Sequence, residues 1–181
     1  MVKRSKLTPR TLTARFKKIS LLVCDVDGVL TDGGIQILEK SEMKRFHVTD
    51  GLAQRCCQKM GVKVAWVTAR PSAVTKKRAQ ELDTDFLIQT TKGKVPAVDS
   101  IRKKLKLTWD EICFIGDDLV DLAVMQKVGI AIAPATACAE AIDVAHHVTK
   151  AGGGNGAVRE LVEKILKAQG KWAKVLSEIA Q

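Results

Sequence analysis

Two short segments carry carboxylates that could act on one phosphorus atom if the fold brought them together. These are Asp25-Val26-Asp27-Gly28 and Gly116-Asp117-Asp118, with Asp121 one turn further on. Like charges so crowded cannot all stay ionised without a cation, and an all-oxygen ligand set favours a hard divalent ion such as Mg²⁺. One carboxylate can then attack phosphorus to form an aspartyl-phosphate. A second, two residues on, can protonate the leaving oxygen and later activate water. Thr68 and Lys94 are suited to hold phosphoryl oxygens, and phosphoryl transfer depends on such positioning and charge neutralisation. Each group taken singly has a blander reading: D-x-D as a solvated turn, G-D-D as a helix cap, and Thr or Lys as a surface residue. Their joint occurrence, in this order, argues for chemistry.

The elements that must position these groups can be read from hydrophobic periodicity. Short apolar runs at 21–24, 62–67, 86–88, 112–115 and 130–132, with a weaker one at 144–148, predict strands. Between them, 52–60, 72–82, 95–105, 119–128 and 157–168 have helical period. Such alternation predicts an α/β protein built on a central parallel sheet with helices on its faces, a Rossmann-like arrangement. Residues 35–38 and 43–48 flank a polar turn at 39–42 and predict a β-hairpin flap after the first strand. Thr108 with Glu111 has the spacing of a capping box, and Asp118 stands at a helix entry. Ligands of open parallel sheets bind beyond the carboxyl ends of the strands, where Asp25, Asp27, Thr68, Arg70, Asp117 and Asp118 all fall, with Lys94 following at short range.

Composition bounds the function classes. The 181 residues are 46% hydrophobic and 28% charged with a formal charge of +10, which fits one globular domain. No apolar run approaches the ~20 residues needed to span a bilayer. Seven of the 30 basic residues (Lys3, Arg4, Lys6, Arg10, Arg15, Lys17 and Lys18) lie in the first 18 positions without an acid, so residues 1–19 read as a basic arm or helix and 20–181 as a single domain with a C-terminal tail. The arm could meet nucleic acid, an acidic membrane surface or only solvent. With three Trp, four Phe and no Tyr there are few platforms for stacking bases. No secretory-type apolar segment is evident, and five cysteines without a C-x-x-C pair fit a reducing, cytoplasmic setting as small buried hydrophobes. His146 and His147 are adjacent, so on a strand they face opposite ways and cannot share a metal.

Taken together, the motifs resemble those of the haloacid dehalogenase superfamily of aspartate-nucleophile phosphohydrolases, and more closely the 3-deoxy-D-manno-octulosonate 8-phosphate phosphatase family. The similar stretches are D-V-D-G-V-L-T-D-G at 25–33, F-H-V-T-D-G at 46–51, T-A-R at 68–70, G-D-D-L-V-D at 116–121 and G-G-N-G-A-V-R-E at 153–160. The chain differs from the usual family pattern at Thr49, Ala53, Ala69 and Asn155. The resemblance implies Asp25 as nucleophile and Asp27 as general acid/base. It implies Mg²⁺ held by Asp25, by Asp27 through its backbone carbonyl, and by Asp117, with Asp118 and Asp121 supporting the metal site. Thr68 and Lys94 would bind the phosphoryl group. His47, Val48, Thr49, Asp50, Gly51, Arg55, Arg70 and Arg78 would join Asp27 and Lys94 in contacting a sugar acid that bears both carboxylate and phosphate.

Only 25 residues separate Thr68 from Lys94, and only the hairpin and one helix fit between Gly33 and Val62, so there is no room for a cap domain. An uncapped site suits either a macromolecular substrate or an oligomer whose neighbours close each other's sites. The resemblance implies the second, a cytoplasmic homotetramer whose glycine-rich segment at 152–156 reaches a neighbouring site. The expected activity is Mg²⁺-dependent hydrolysis of an acidic sugar phosphate, foremost 3-deoxy-D-manno-octulosonate 8-phosphate, in lipopolysaccharide precursor synthesis. A nonulosonate 9-phosphate phosphatase, a phosphoprotein or polynucleotide 3′-phosphatase, and a nucleic-acid-binding protein on the same scaffold are the competing readings. Intact chemistry and few aromatics disfavour the last of these.

Overall fold

The computed structural model describes residues 7–179, so Lys3, Arg4 and Lys6 of the basic arm lie outside the described residues. The first helix, α1 (Pro9–Phe16), begins with Thr8 accepting the Thr11 amide and Pro at the first helical position, both favoured there. It buries Phe16 and sends Arg15 to the carbonyl of Gly129 at 2.8 Å, which ties part of the arm to the body. Then come β1 (Leu21–Cys24), the hairpin β2 (Gln36–Leu38) and β3 (Ser41–Met43), α2 (Val48–Lys59), β4 (Lys63–Thr68) and α3 (Ala73–Glu81). The second half runs β5 (Phe86–Gln89), α4 (Lys94–Lys104), β6 (Ile112–Ile115), α5 (Leu122–Met125), β7 (Ile130–Ala133), α6 (Ala139–Val144), β8 (His147–Val148), α7 (Ala157–Ala168) and α8 (Trp172–Ile179).

Six strands form one parallel sheet in the order β5-β4-β1-β6-β7-β8, in agreement with the expected architecture. Residues of β1, β6 and β7 are buried throughout, because helices cover both faces of the sheet. Alternate side chains then divide between two cores. Leu22, Cys24, Val64 and Trp66 pack with Cys57, Leu161 and Ile165, whereas Leu21, Val23, Ala65 and Val67 pack with Val98, Ile101, Val124 and Met125. Trp66 can be wholly buried because its indole N–H donates to Gln54 Oε1 at 2.5 Å. The chain leaves β1 for β4 on one side and later crosses to β6 on the other. The strand order therefore reverses beside β1, where a parallel sheet opens its ligand crevice.

Several boundaries differ from the expectations. Only His147 and Val148 of the run 144–148 pair as a strand, because Val144 ends α6, whose Ala141 and Val144 face inward at helical spacing. The hairpin's second arm stops at Met43, with an isolated Thr31–Phe46 bridge beyond it, because His47 already caps α2. The Thr108 capping box opens a 3-10 turn at Trp109–Glu111 that leads straight into β6. The helix expected over 119–128 is a 3-10 turn at Leu119–Asp121 followed by the single turn of α5.

Candidate active site

Asp25 is the first residue past β1. Its N–H donates to Ile115 of β6 at 3.0 Å, which extends the sheet ladder by one bond and fixes the backbone that carries the carboxylate. The residue is only 5% exposed, and its Oδ1 meets Lys94 Nζ at 2.7 Å. Lys94 opens α4 after Gly93, whose φ of +90° suits glycine, and reaches inward to bridge Asp25 and Asp121 Oδ1, the latter at 2.6 Å. Asp121 is fully buried, and its Oδ2 accepts the N–H groups of Asp117 at 3.0 Å and Asp118 at 3.3 Å. The loop after β6 is thereby folded around the same carboxylate that Lys94 holds.

Asp25, Asp117 and Asp121 each bring a carboxylate oxygen into one cluster, all within 4.8 Å of one another. Burial, reinforced by the Asp121 charge, pushes Asp25 up to about 8 against the pull of Lys94, and pushes Asp117 up to about 6 for the same reasons. Oδ1 of Asp117 is buried and has no hydrogen-bond partner. Converging hard oxygens, raised carboxylates and an unpartnered buried acceptor fit a Mg²⁺ ion, which would return these groups to their ionised form. Gly28 is required beside this cluster, since a Cβ there would lie 2.0 Å from Asp117 Oδ2. Thr68, at the end of β4, is buried, and its Oγ1 accepts the Arg70 N–H at 3.1 Å, which leaves its hydroxyl proton free to donate.

Other expected residues are placed differently. Asp118 is spent as a cap, its Oδ1 accepting the Leu119 N–H at 2.7 Å, and does not join the carboxylate cluster. Asp27 turns to the hairpin, where Lys44 Nζ lies 2.7 Å from Oδ1. In the segment 47–51 only the first three residues face outward. Val48 is exposed, and His47 Nδ1 and Thr49 Oγ1 bond each other at 2.8 Å. Asp50 is buried, and its oxygens accept the N–H groups of Arg159 at 2.7 Å and Gly156 at 3.2 Å and so cap α7. Gly51 is packed under Arg78 and Leu82. Arg78 pairs with Glu81 at 2.7 Å over the Phe46 ring, and Arg70 pairs with Glu42 at 2.6 Å. Arg55 stands 4.0 Å from Asp83, just before β5, and thus towards the opposite end of the sheet from Asp25.

The glycine-rich segment is tied to its own chain. Gly154 N–H donates to Val29 at 2.9 Å and Gly153 N–H to Thr136 Oγ1 at 3.0 Å, so residues 153 and 154 lie on the nucleophile loop of their own chain. Four cysteines are buried and Cys138 is half-buried, all with free thiols, and His146 Nδ1 accepts the Ala131 N–H at 2.9 Å in a structural role. Sequence reasoning missed Glu42 and Lys44. Glu42 falls in the expected turn and Lys44 at the start of the expected second arm, so their i, i+2 spacing is a signal only once β3 is seen to begin at Ser41.

Residues 87–161 match a family of haloacid dehalogenase-like hydrolases. The chain is 39% identical over 159 residues to the 3-deoxy-D-manno-octulosonate 8-phosphate phosphatase KdsC of Escherichia coli K12, covering 87% of this chain and 85% of that one. It is similar to the crystal structure of the phosphatase of that name from Moraxella catarrhalis in complex with magnesium, phosphate and KDO, with TM-score 0.91, 35% identity, and 94% and 99% of the two chains covered. It is likewise similar to the crystal structure from Yersinia pestis, with TM-score 0.88, 38% identity, and 90% and 89% covered.

Proposed function

Since the chain belongs to the 3-deoxy-D-manno-octulosonate 8-phosphate phosphatase family of haloacid dehalogenase-like hydrolases, we propose that it hydrolyses that sugar phosphate to KDO and phosphate in lipopolysaccharide synthesis. The observation that carries this reading is the buried Lys94 bridge between Asp25 and Asp121 beside Asp117, at the crevice where β1 and β6 end. Asp25 is the nucleophile. Its oxygen forms a bond to phosphorus as the ester P–O bond breaks, and Asp27 gives a proton to the leaving oxygen. Water then attacks the phosphoryl group, Asp27 takes the water's proton, and Asp25 is released. Lys94 and the Thr68 hydroxyl hold phosphoryl oxygens through both steps. Mg²⁺, held by Asp25, Asp117 and the Asp27 carbonyl with Asp121 in support, supplies the positive charge that lets carboxylates and phosphate share one site.

His47, Val48, Thr49 and Arg70 are assigned to the substrate, and Arg70, whose Nη1 is buried without a hydrogen-bond partner, is assigned to the sugar carboxylate. Residues 20–181 form the phosphatase domain, and the basic residues before them are an appendage to it. The site has no cap of its own, and Ile37, Leu38, Met43 and Val48 stand exposed on the hairpin and the start of α2. That apolar surface beside an open site supports a homotetramer in which neighbours cover each other. No described helix is long and apolar enough to cross a membrane, and the free thiols suit the cytoplasm.

The deciding assay measures phosphate release from 3-deoxy-D-manno-octulosonate 8-phosphate, nonulosonate 9-phosphates and a 3′-phosphorylated oligonucleotide, with and without Mg²⁺, in the native chain and Asp25→Asn. Mg²⁺-dependent release that is greatest for the octulosonate and lost in Asp25→Asn is the expected result. Activity unchanged by Asp25→Asn overturns the mechanism, and preference for another substrate overturns the assignment.

A further inference from the structure

We propose that Lys44 is a positioning residue that orients Asp27 for proton transfer, an inference that rests on the phosphatase reading above. Lys44 follows β3 directly, yet its side chain is wholly withdrawn from solvent. Burying an ammonium group is costly unless it is paired, and its Nζ finds Asp27 Oδ1 at 2.7 Å and Thr75 Oγ1 at 3.3 Å. The contact to Asp27 is an ion pair rather than a well-aligned hydrogen bond, and Asp27 Oδ2 is buried with no hydrogen-bond partner. One oxygen of Asp27 is thus engaged from the hairpin, and the other is left to carry the proton.

Glu42, two residues earlier, explains how an exposed hairpin can deliver a side chain so accurately. It binds Arg70 at 2.6 Å and accepts the Ser72 hydroxyl, so β3 is anchored to the segment between β4 and α3. Strand periodicity places Lys44 on the same side. Lys94 serves Asp25 and Asp121, so the nucleophile and the acid/base are held by different lysines from different elements. With or without a proton on Oδ2, Oδ1 stays beside the Lys44 ammonium group, so the orientation persists through both halves of the reaction. In the first half the proton passes from Asp27 to the ester oxygen as the Asp25–phosphorus bond forms and the ester bond breaks. In the second it returns from water as the new phosphorus–oxygen bond forms and Asp25 leaves.

The test uses the full chain with Mg²⁺ and compares single-turnover phosphorylation of Asp25 by two substrates. The sugar phosphate has an alkoxide leaving group that needs a proton, whereas p-nitrophenyl phosphate has one that does not. Lys44→Met is expected to slow the sugar-phosphate step by roughly tenfold or more, while leaving the p-nitrophenol burst and KM little changed. Lys44→Arg is expected to restore part of the loss. If Lys44→Met does not fold, Lys44→Gln supports the same comparison. An equal fall for both substrates would make Lys44 a support of the fold only, a rise in KM with unchanged kcat would make it a substrate ligand, and unchanged rates would give it no role; each overturns the proposal. A wild-type chain that turns over neither substrate overturns the phosphatase reading itself, and does so without any variant.

Discussion

A Cβ atom on Gly153 would lie 1.7 Å from the carbonyl oxygen of Gly28. The two backbones are therefore in direct contact, with Gly28 in turn pressed against Asp117, where its own Cβ would fall 2.0 Å from Oδ2. A loop far along the sequence thus sets the position of the loop that follows the nucleophile. Side chains are absent along this line because any of them would push the aspartates apart.

Gly153→Ala is expected to cost about 3 kcal/mol, at the upper end for overpacking, because the obstruction is backbone and not a flexible side-chain end. For a chain of this length that lowers Tm by roughly 6–12 °C. Gly61→Ala is the comparison: its φ of +81° is unfavourable but nothing lies near the new Cβ. That change should cost about 1 kcal/mol and leave activity intact. Thermal melts and phosphatase assays of the two variants separate crowding from backbone strain. Equal melts would show that the Gly153 contact relaxes freely.

The catalytic core was legible because strand ends are where a parallel sheet exposes chemistry, and Asp25, Thr68 and Asp117 each stand within two residues of the end of an apolar run. Lys94 was legible for the same reason, one short loop past β5. What could not be read was the direction of side chains on elements with no strong period. Asp50 belongs to a segment that looks polar and exposed, yet it points inward because the amide groups at the start of α7 need an acceptor. Asp118 looks like a metal carboxylate but satisfies its own helix turn. Lys44 carries no sequence signal for its role, since only the three-dimensional docking of the hairpin puts Asp27 within its reach.

Asp50→Asn separates capping from ligand binding. Replacing one carboxylate oxygen by an NH₂ group sets a donor against the N–H of Gly156 or Arg159, so α7 loses part of its cap at a cost of about 1–2 kcal/mol. KM for the sugar phosphate should stay within about threefold of the native value, because both oxygens of the carboxylate are already taken up by the α7 amides. Denaturant titration and steady-state kinetics on the same preparation give both quantities. A large rise in KM at unchanged stability would restore Asp50 as a substrate contact.

Glu42 makes the hairpin's anchorage dependent on acid. Its bonds from Arg70 and Ser72 hold the carboxyl at about 2, below the ordinary 4.5. A depressed carboxyl contributes stability that is complete above the unfolded value and is lost as pH falls through the folded one. The stability difference between the native chain and Glu42→Gln should therefore be constant above about pH 4.5 and shrink steadily as pH falls towards 2. Urea melts at a series of pH values, taken as far down as the fold persists, measure this difference. A gap independent of pH would mean that the Glu42 contact is not ionic.

Asp25 behaves in the opposite sense, and this gives the metal site a proton signature. Burial and the Asp121 charge hold its carboxyl at about 8 rather than 3.8, so without metal the folded chain binds a proton that the unfolded chain has released. Metal-free stability should therefore decline as pH rises from about 4 towards 8, because the unfolded chain releases this proton more and more readily while the folded chain retains it, and should level off once the folded carboxyl itself ionises. A divalent cation binds the ionised form, so its binding expels the proton and reverses the decline. With Asp25 near 8 and Asp117 near 6, addition of Mg²⁺ at pH 7 should release roughly one proton, and its affinity should rise by roughly tenfold per pH unit between about 6 and 8. Calorimetry of Mg²⁺ binding in buffers of different ionisation enthalpy counts the proton directly. Asp25→Asn should abolish most of the release, whereas Asp50→Asn, which is not one of the clustered carboxylates, should leave it in place. Mg²⁺ binding without proton release would mean that Lys94 already keeps Asp25 ionised, and the carboxylates would then have to be neutralised by the lysine before any metal arrives.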